Sequence, residues 1–467
     1  MAARAPVATA CPGNDMSSRS VDAIPSVETV APPPHPSLAE ATRLWLKIGC
    51  LGFGGPAGQI ALMHRLVIDE KRWIDEPRFL HALNFCMLLP GPEAQQLATY
   101  LGWMMHGVRG GLIAGTLFVL PGALVMFALS IFYALYHQTA LVDGLFYGIR
   151  CAVVAIVVEA LLRISRRALR RPVHGVIAAA SFAAIFFFAV PFPLIVLLAG
   201  AAGAVNIAFD RTPGRNSDAP EQAPGAGEAP RCWRLVRTIA IGLCLWAAPV
   251  GLFALWLGWG STFADIGVFF AKMAVVTFGG AYAVLAYVAQ QAVDTYQWLA
   301  PGEMLTGLGL AETTPGPLIL VLQFVAFLAG FREPEPFSPL AGGIVGGLLA
   351  LWVTFVPCFL WIFLGAPYVE RLRHVAWLSA ALTAITAAVV GVVLNLALWF
   401  TLHVVFARIE ERWFGPLRLH LPDLTTLDPI ALALVASAAV AMLRYHVGLL
   451  TTLFAAGVCG IAVRSLI

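Results

Sequence analysis

Long apolar runs interrupted by Gly and Pro, with each kind of interruption present twice, set the tightest limit on what this chain can fold into. Val173 to Phe209, Ala247 to Val293 and Val375 to Ala407 are such runs, separated by short charged stretches. A spanning helix takes about 20 mostly apolar residues, so the sequence predicts an all-α polytopic membrane protein with roughly ten to thirteen membrane segments. Composition agrees: 60% of the 467 residues are hydrophobic and 12% are charged, whereas a soluble domain carries about 25% charged residues.

The interruptions reveal an internal repeat. Lys47, Phe53, Gly54 and Gly55 recur 225 positions on as Lys272, Phe278, Gly279 and Gly280. At the same offset Asp69 meets Asp294, Trp73 meets Trp298, and Pro90-Gly91-Pro92 meets Pro315-Gly316-Pro317. A loop insertion around Arg332 to Pro339 moves the offset to 236, where Gly110-Gly111 meets Gly346-Gly347 and Pro121 meets Pro357. The expected organisation is a disordered cytoplasmic tail over 1–38, rich in Pro, Ala and Ser, and a first membrane repeat over 39–208. A Pro/Gly/Ala-rich linker with one connecting span follows over 209–263, and then a second repeat over 264–467. One extra span between two halves that each cross an even number of times inverts the second half. Inverted repeats are a recurring design of secondary transporters, with the substrate site near the midplane.

Charge orients the halves, because Lys and Arg concentrate in cytoplasmic loops. Arg163, Arg166, Arg167, Arg170 and Arg171 are placed inside, and Pro191-Phe192-Pro193 divides the following run into a hairpin of two short spans. The first two segments of each half are broken into pieces of roughly 11–14 residues, too short to span at about 1.5 Å per residue. Read as re-entrant hairpins, they put Arg65, Lys71, Arg72, Arg78 and Arg109 inside and the Asp294 loop, which lacks Lys and Arg, outside. Broken full spans are the alternative. Trp73 and Trp298 read as interfacial anchors.

The breaks are the candidate site. Non-helical backbone at membrane depth survives only where it is buried in protein or lines a watery cavity. Gly54-Gly55-Pro56 and Gly279-Gly280 supply backbone freedom. Pro90-Gly91-Pro92 and Pro315-Gly316-Pro317 end one helix and begin another. Each new half-helix presents unpaired N–H groups and the positive end of its dipole, a ready anion site. Gln95 and Gln96 after the first Pro-Gly-Pro, and Thr313, Thr314 and Gln323 around the second, complete the polar set. Lys47 and Lys272 either draw an anion toward the breaks or snorkel to the interface. Glu93 and Glu312 stand at non-equivalent positions. Each is either a proton-coupling carboxylate, since ionisable groups inside membranes are costly and default to function, or a cap on the adjacent half-helix. His64, His81 and Arg150 are weaker candidates.

Other chemistry is disfavoured. The eight cysteines show no CxxC and no metal-ligand spacing, so no metal, no cofactor and no redox or metal enzyme is expected. A net charge of +3 gives no reason to expect a nucleic-acid partner.

These motifs resemble the chromate ion transporter family in its long-chain, two-domain form. The likeness is carried by Phe53-Gly54-Gly55-Pro56, Trp73, and Leu89-Pro90-Gly91-Pro92-Glu93 with Gln95-Gln96-Leu97-Ala98, Tyr100 and Gly102. Phe118-Val119-Leu120-Pro121-Gly122 follows, and the second half matches through Phe278-Gly279-Gly280 and Thr313-Thr314-Pro315-Gly316-Pro317-Leu318 with Gln323. The resemblance implies export of chromate across the inner or plasma membrane, driven by membrane potential or a proton gradient and giving chromate resistance. It also implies a link to sulfate, a tetrahedral dianion of similar size. The expected partners are the oxyanion and the lipid bilayer. A sulfate carrier on the same scaffold, a membrane-bound reductase and a homodimeric assembly are left open.

Overall fold

The computed structural model describes residues 36–209, 232–278, 281–366 and 376–466. Most of the expected tail and linker, and Gly279 and Gly280, lie outside the described residues.

Helices begin where capping residues and Pro stand. Ser37 accepts from the Glu40 N–H at the start of α1 (Leu38–Leu51), and Asp75 does the same for α3 (Glu76–Cys86), whose first turn holds Pro77. Such side-chain acceptors satisfy donors that a helix start leaves open. Between them, α2 (Gly55–His64) runs into a π-helical turn, Arg65–Glu70. Next comes α4 (Glu93–Tyr136), broken at His106 and Gly107, where Gly107 takes φ 59°. α5 (Ala140–Ala168), α6 (Pro172–Phe188) and α7 (Phe192–Phe209) complete the first half, the last two divided at Pro191 as expected. α8 (Cys232–Leu257) is the connecting helix.

The second half repeats the plan. α9 (Thr262–Val276), capped by Ser261, precedes α10 (Ala281–Gln290) with its own π-helical turn Gln291–Thr295. α11 (Pro301–Thr313) leads through a short 3-10 turn into α12 (Val321–Arg332), and α13 (Pro339–Gly365) and α14 (Ala376–Val405) follow. Strands β1 (Ile409–Phe414) and β2 (Leu417–Pro422) precede α15 (Pro429–Leu443) and α16 (Leu449–Leu466). Among the described residues six helices are long and apolar enough to cross a membrane: α4, α5, Leu235–Leu257 of α8, α13, Trp377–Val405 of α14, and α16.

Ion pairs decide between re-entrant and crossing segments. Lys71, after α2, lies 2.9 Å from Glu40 at the start of α1. His106, closing the first part of α4, lies 2.9 Å from the Pro36 carbonyl. Both bent segments of the first half therefore return to the face they left. In the second half Arg332, ending α12, lies 2.6 Å from Glu303 at the start of α11, and Thr262 at the start of α9 donates to Glu333. The remainder of α4 runs from the His106 end to Tyr133, whose hydroxyl donates to Glu303 at 3.1 Å. The re-entrant segments of the two halves thus enter from opposite ends of α4, the geometry of an inverted repeat.

The halves also exchange their ends. α6 and α7 pack on α14 of the second half, while α15 and α16 pack on α5 of the first. Small residues permit the close approach: a side chain on Gly148 would meet the Ala456 carbonyl, and one on Gly203 the Ala380 carbonyl. Tight packing through small residues is how membrane helices associate without a hydrophobic drive between them.

The all-α architecture holds, with one short antiparallel hairpin added to it, pairing Ile409 with Pro422 and Phe414 with Leu417. Gly415 (φ 61°) beside Pro416 forms a two-residue turn with Gly first, a favoured hairpin geometry. Trp73 and Trp298 are buried rather than interfacial; Trp298 stacks on Tyr296 at 4.3 Å and packs against Phe269.

Candidate functional site

The breaks of one half hydrogen-bond to the breaks of the other. Gly91 N–H donates to the Thr277 carbonyl at 2.8 Å, and Gly316 N–H donates to the Gly52 carbonyl at 2.9 Å. Under the 225-residue offset Gly52 corresponds to Thr277 and Gly91 to Gly316, so this is one contact made twice. Gly91 (φ 122°) and Gly316 (φ 105°) hold backbone that side-chain-bearing residues avoid. A second contact is also reciprocal: Gly122 backs onto the Pro315 carbonyl, and its counterpart Cys358 lies where a Gly91 side chain would be, 2.8 Å from the projected Cβ.

Buried amides brace this crossing. Gln59, fully buried on α2, donates through Nε2 to the Gly316 carbonyl and to the Gly52 carbonyl, the latter at 3.1 Å. Gln96 donates to the Pro90 carbonyl at 2.7 Å, and Gln323 to the Ala123 carbonyl at 2.9 Å. Gln95 turns along its own helix to Thr99 at 3.0 Å. The amide oxygens of all four are buried without a partner. Sequence reasoning missed Gln59 because its counterpart is Val284, so the repeat gave no signal there.

The remaining candidates divide by position. Thr313 and Thr314 both donate to the Leu310 carbonyl, at 2.9 and 2.7 Å, and cap the end of α11. Gly54 and Gly55 (φ 86° and 69°) face open space at the start of α2, which carries Pro56 in its first turn. Lys47 and Lys272 are exposed on α1 and α9 and are not drawn into the crossing. Pro92 and Pro317 immediately precede the half-helices that begin at Glu93 and Leu318.

Glu93 is the first residue of α4 and Glu312 is buried near the end of α11. Tyr282, which follows the Gly279-Gly280 break and went unremarked in the sequence, donates its hydroxyl to Glu312. His64 and Arg150 are engaged elsewhere, His64 with Glu76 at 2.6 Å and Arg150 with Asp143 at 3.4 Å. Among the described residues no cluster of three or more metal-ligating side chains occurs.

A cavity of about 510 Å³ lies apart from the crossing, between the α6–α7 turn, Tyr287 to Gln297, Glu411 and Arg418. His420, whose Nε2 lies 3.2 Å from Glu411, and Arg418 hold the Glu411 carboxyl below the usual carboxylate range.

Comparison with known proteins decides the family. The model of the chromate transporter family matches residues 39–204 and 264–461. The chain belongs to the chromate transporter family. A chromate transport protein of Pseudomonas aeruginosa is 30% identical over 384 residues, covering 81% of this chain and 85% of that protein. One of Cupriavidus metallidurans is 27% identical over 365 residues, covering 77% and 82%. A probable chromate transport protein of Synechococcus elongatus is 27% identical, covering 77% and 84%. No solved structure matches. In this chromate transporter family member the two matched stretches each contain one Phe-Gly-Gly and one Pro-Gly-Pro break, the elements that cross.

Proposed function

We propose that this membrane protein is a secondary transporter that exports chromate from the cytoplasm, driven by membrane potential or a proton gradient, and so confers chromate resistance. The observation that carries the reading is the reciprocal pair of break-to-break hydrogen bonds, Gly91 to Thr277 and Gly316 to Gly52. Two inverted halves meeting through their broken helices leave half-helix starts near the midplane, with N–H groups and positive dipole ends suited to a tetrahedral dianion. Family membership supplies the substrate. Gly54, Gly55 and the first turn of α4 are the backbone donors in this reading. Lys47 and Lys272 draw the anion in, and Glu93 and Glu312 serve proton coupling. The arginine-rich end of α5 and the start of α1 face the cytoplasm of a cell bounded by this inner membrane.

The electrical term favours export. Moving charge across a bilayer is worth about 2.3 kcal/mol per elementary charge per 100 mV, so a dianion leaving an inside-negative cell gains about twice that. The test is chromate accumulation by everted vesicles, with and without an imposed potential and with excess sulfate as competitor. Potential-dependent uptake of unreduced chromate is the expected result, and strong sulfate inhibition identifies sulfate as a second substrate. Vesicles that match protein-free controls defeat the transport reading, and chromate that disappears chemically instead of moving points to a reductase.

A further inference from the structure

Charge is distributed unequally over the two ends of this pseudo-symmetric molecule. On α5, Glu159, Arg163 and Arg167 are spaced four residues apart and share one helix face. Arg163 reaches back one turn, toward the membrane interior, and holds Glu159 at 2.6 Å. An arginine that served only to orient the chain would extend outward to water and lipid headgroups.

What lies behind that pair is the crossing itself. α11 packs alongside α5: a side chain on Gly302 would meet Arg150, and one on Gly309 would meet Ile149 and Val153. Three further residues, at about 1.5 Å each, bring Glu312 one turn short of Glu159. Tyr282, bonded to Glu312, sits at the start of α10 just past the second half's first break. By this count the Glu159 to Arg163 pair stands about one turn beyond Glu312 along α5, toward its charged C-terminal end.

The counterpart positions in the second half carry no such pair. Under the 236-residue offset Glu159 and Arg163 correspond to Asn395 and Trp399 on α14. Asn395 is buried and Trp399 packs on His403. The inversion that duplicates the breaks does not duplicate the ion pair.

We propose that Arg163, assisted by Arg167, is the entry ligand for the oxyanion at the α5 end, and that Glu159 is the counter-anion the substrate displaces. Arginine suits the task because its planar guanidinium donates two parallel hydrogen bonds to an oxyanion. Glu159 keeps the guanidinium oriented while the site is empty and repels a second anion once one is bound. The pair also sets specificity: a tetrahedral dianion competes with a carboxylate for the guanidinium better than a halide or a monoanion does. This inference rests on the transport reading above.

The test is the initial rate of chromate uptake by vesicles of both orientations, with wild type, Arg163→Gln, Arg163→Lys, Glu159→Gln and Arg171→Gln. Arg171 removes the same charge from the same end but lies beyond α5. In everted vesicles, which expose the α5 end, Arg163→Gln should raise KM roughly tenfold or more, the worth of a charge-assisted hydrogen bond. Arg163→Lys should fall between it and wild type. Glu159→Gln should lower KM about two- to fivefold, the worth of an exposed ion pair. Arg171→Gln should match wild type. In right-side-out vesicles Arg163→Gln should leave KM unchanged, a side-dependence that a structural role would not produce. Wild-type uptake with equal KM for Arg163→Gln and Arg171→Gln overturns the inference and leaves the transport reading intact. Absence of wild-type uptake defeats the transport reading, and the inference falls with it.

Discussion

Gln59 offers the most direct test of the crossing. Its amide is fully buried and donates to two backbone carbonyls, Gly52 on its own half and Gly316 on the other. Leu at this position keeps the side chain's bulk and removes both donations. Gly52 O retains a partner, because Gly316 N–H still donates to it at 2.9 Å. No other donor to Gly316 O is found among the described residues, so it becomes a buried acceptor without one. Hydrogen bonds between membrane helices average about 0.6 kcal/mol each, and an unsatisfied buried carbonyl costs about 1–3 kcal/mol. The substitution should therefore destabilise the crossed arrangement by about 2–4 kcal/mol, which at 1.4 kcal/mol per tenfold lowers the equilibrium constant in its favour roughly 30-fold or more. Uptake per unit of protein in vesicles should fall accordingly, and the thermal midpoint of the purified protein should drop. Glu at the same position sharpens the test. A carboxylate faces two carbonyls with no proton to donate, whereas the protonated acid can bond one of them, so Gln59→Glu should recover activity as pH falls. A Gln59→Leu protein with wild-type uptake and wild-type midpoint would refute the claim that this amide ties the halves together.

Three further outcomes follow from the geometry. Gly122→Ala drives a methyl group into the Pro315 carbonyl, an overpacking worth about 1–3 kcal/mol; the thermal midpoint should fall, while Gly175→Ala, where a side chain meets open space, should leave it unchanged. Glu93→Gln should flatten the pH dependence of chromate uptake, and an unaltered profile removes Glu93 from proton coupling. Glu411 should make hairpin docking depend on pH. Its carboxyl is depressed by the adjoining His420 and by Arg418, so its stabilisation is present above the ordinary value of 4.5 and is lost as pH falls through the lower folded value. Hydrogen exchange over 409–422 should accelerate in acid, and His420→Ala should reduce that acid-dependence.

Much of the fold was legible because membrane and repeat constraints leave marks in one dimension. Each Pro-Gly-Pro stops a helix wherever it stands, and the duplication of both kinds of break at one offset marks the second half. Lys71 and Arg109 assigned the re-entrant segments to one face through charge alone, and the Lys71 to Glu40 contact bears that out. What stayed hidden was whatever the duplication does not share. Gln59 faces Val284 across the repeat, and the hairpin at 409–422 is an insertion with no counterpart in the first half. Trp73 and Trp298 looked like interface anchors because Trp favours that depth; Tyr296 and Phe269, which cover Trp298, are brought to it by the return of α10 against α9.

The unshared positions bear on how the protein could work at all. If the two halves were identical, the molecule would present the same face to both sides and would bind an oxyanion equally well from either. The reciprocal bonds at the breaks supply that symmetric element, since each half's Pro-Gly-Pro glycine donates to the other half's first break. Direction then has to come from residues that lack counterparts. Glu312 replaces Met87, Glu93 replaces Leu318, and the Glu159 to Arg163 pair stands where the other half has Asn395 and Trp399. These exchanges put the unshared ionisable groups beside the breaks and on α5, and leave the opposite end to Glu303, Arg332 and Tyr133, which are occupied with each other. A symmetric scaffold with asymmetric charge is a sufficient physical basis for the two ends of the path to differ in affinity.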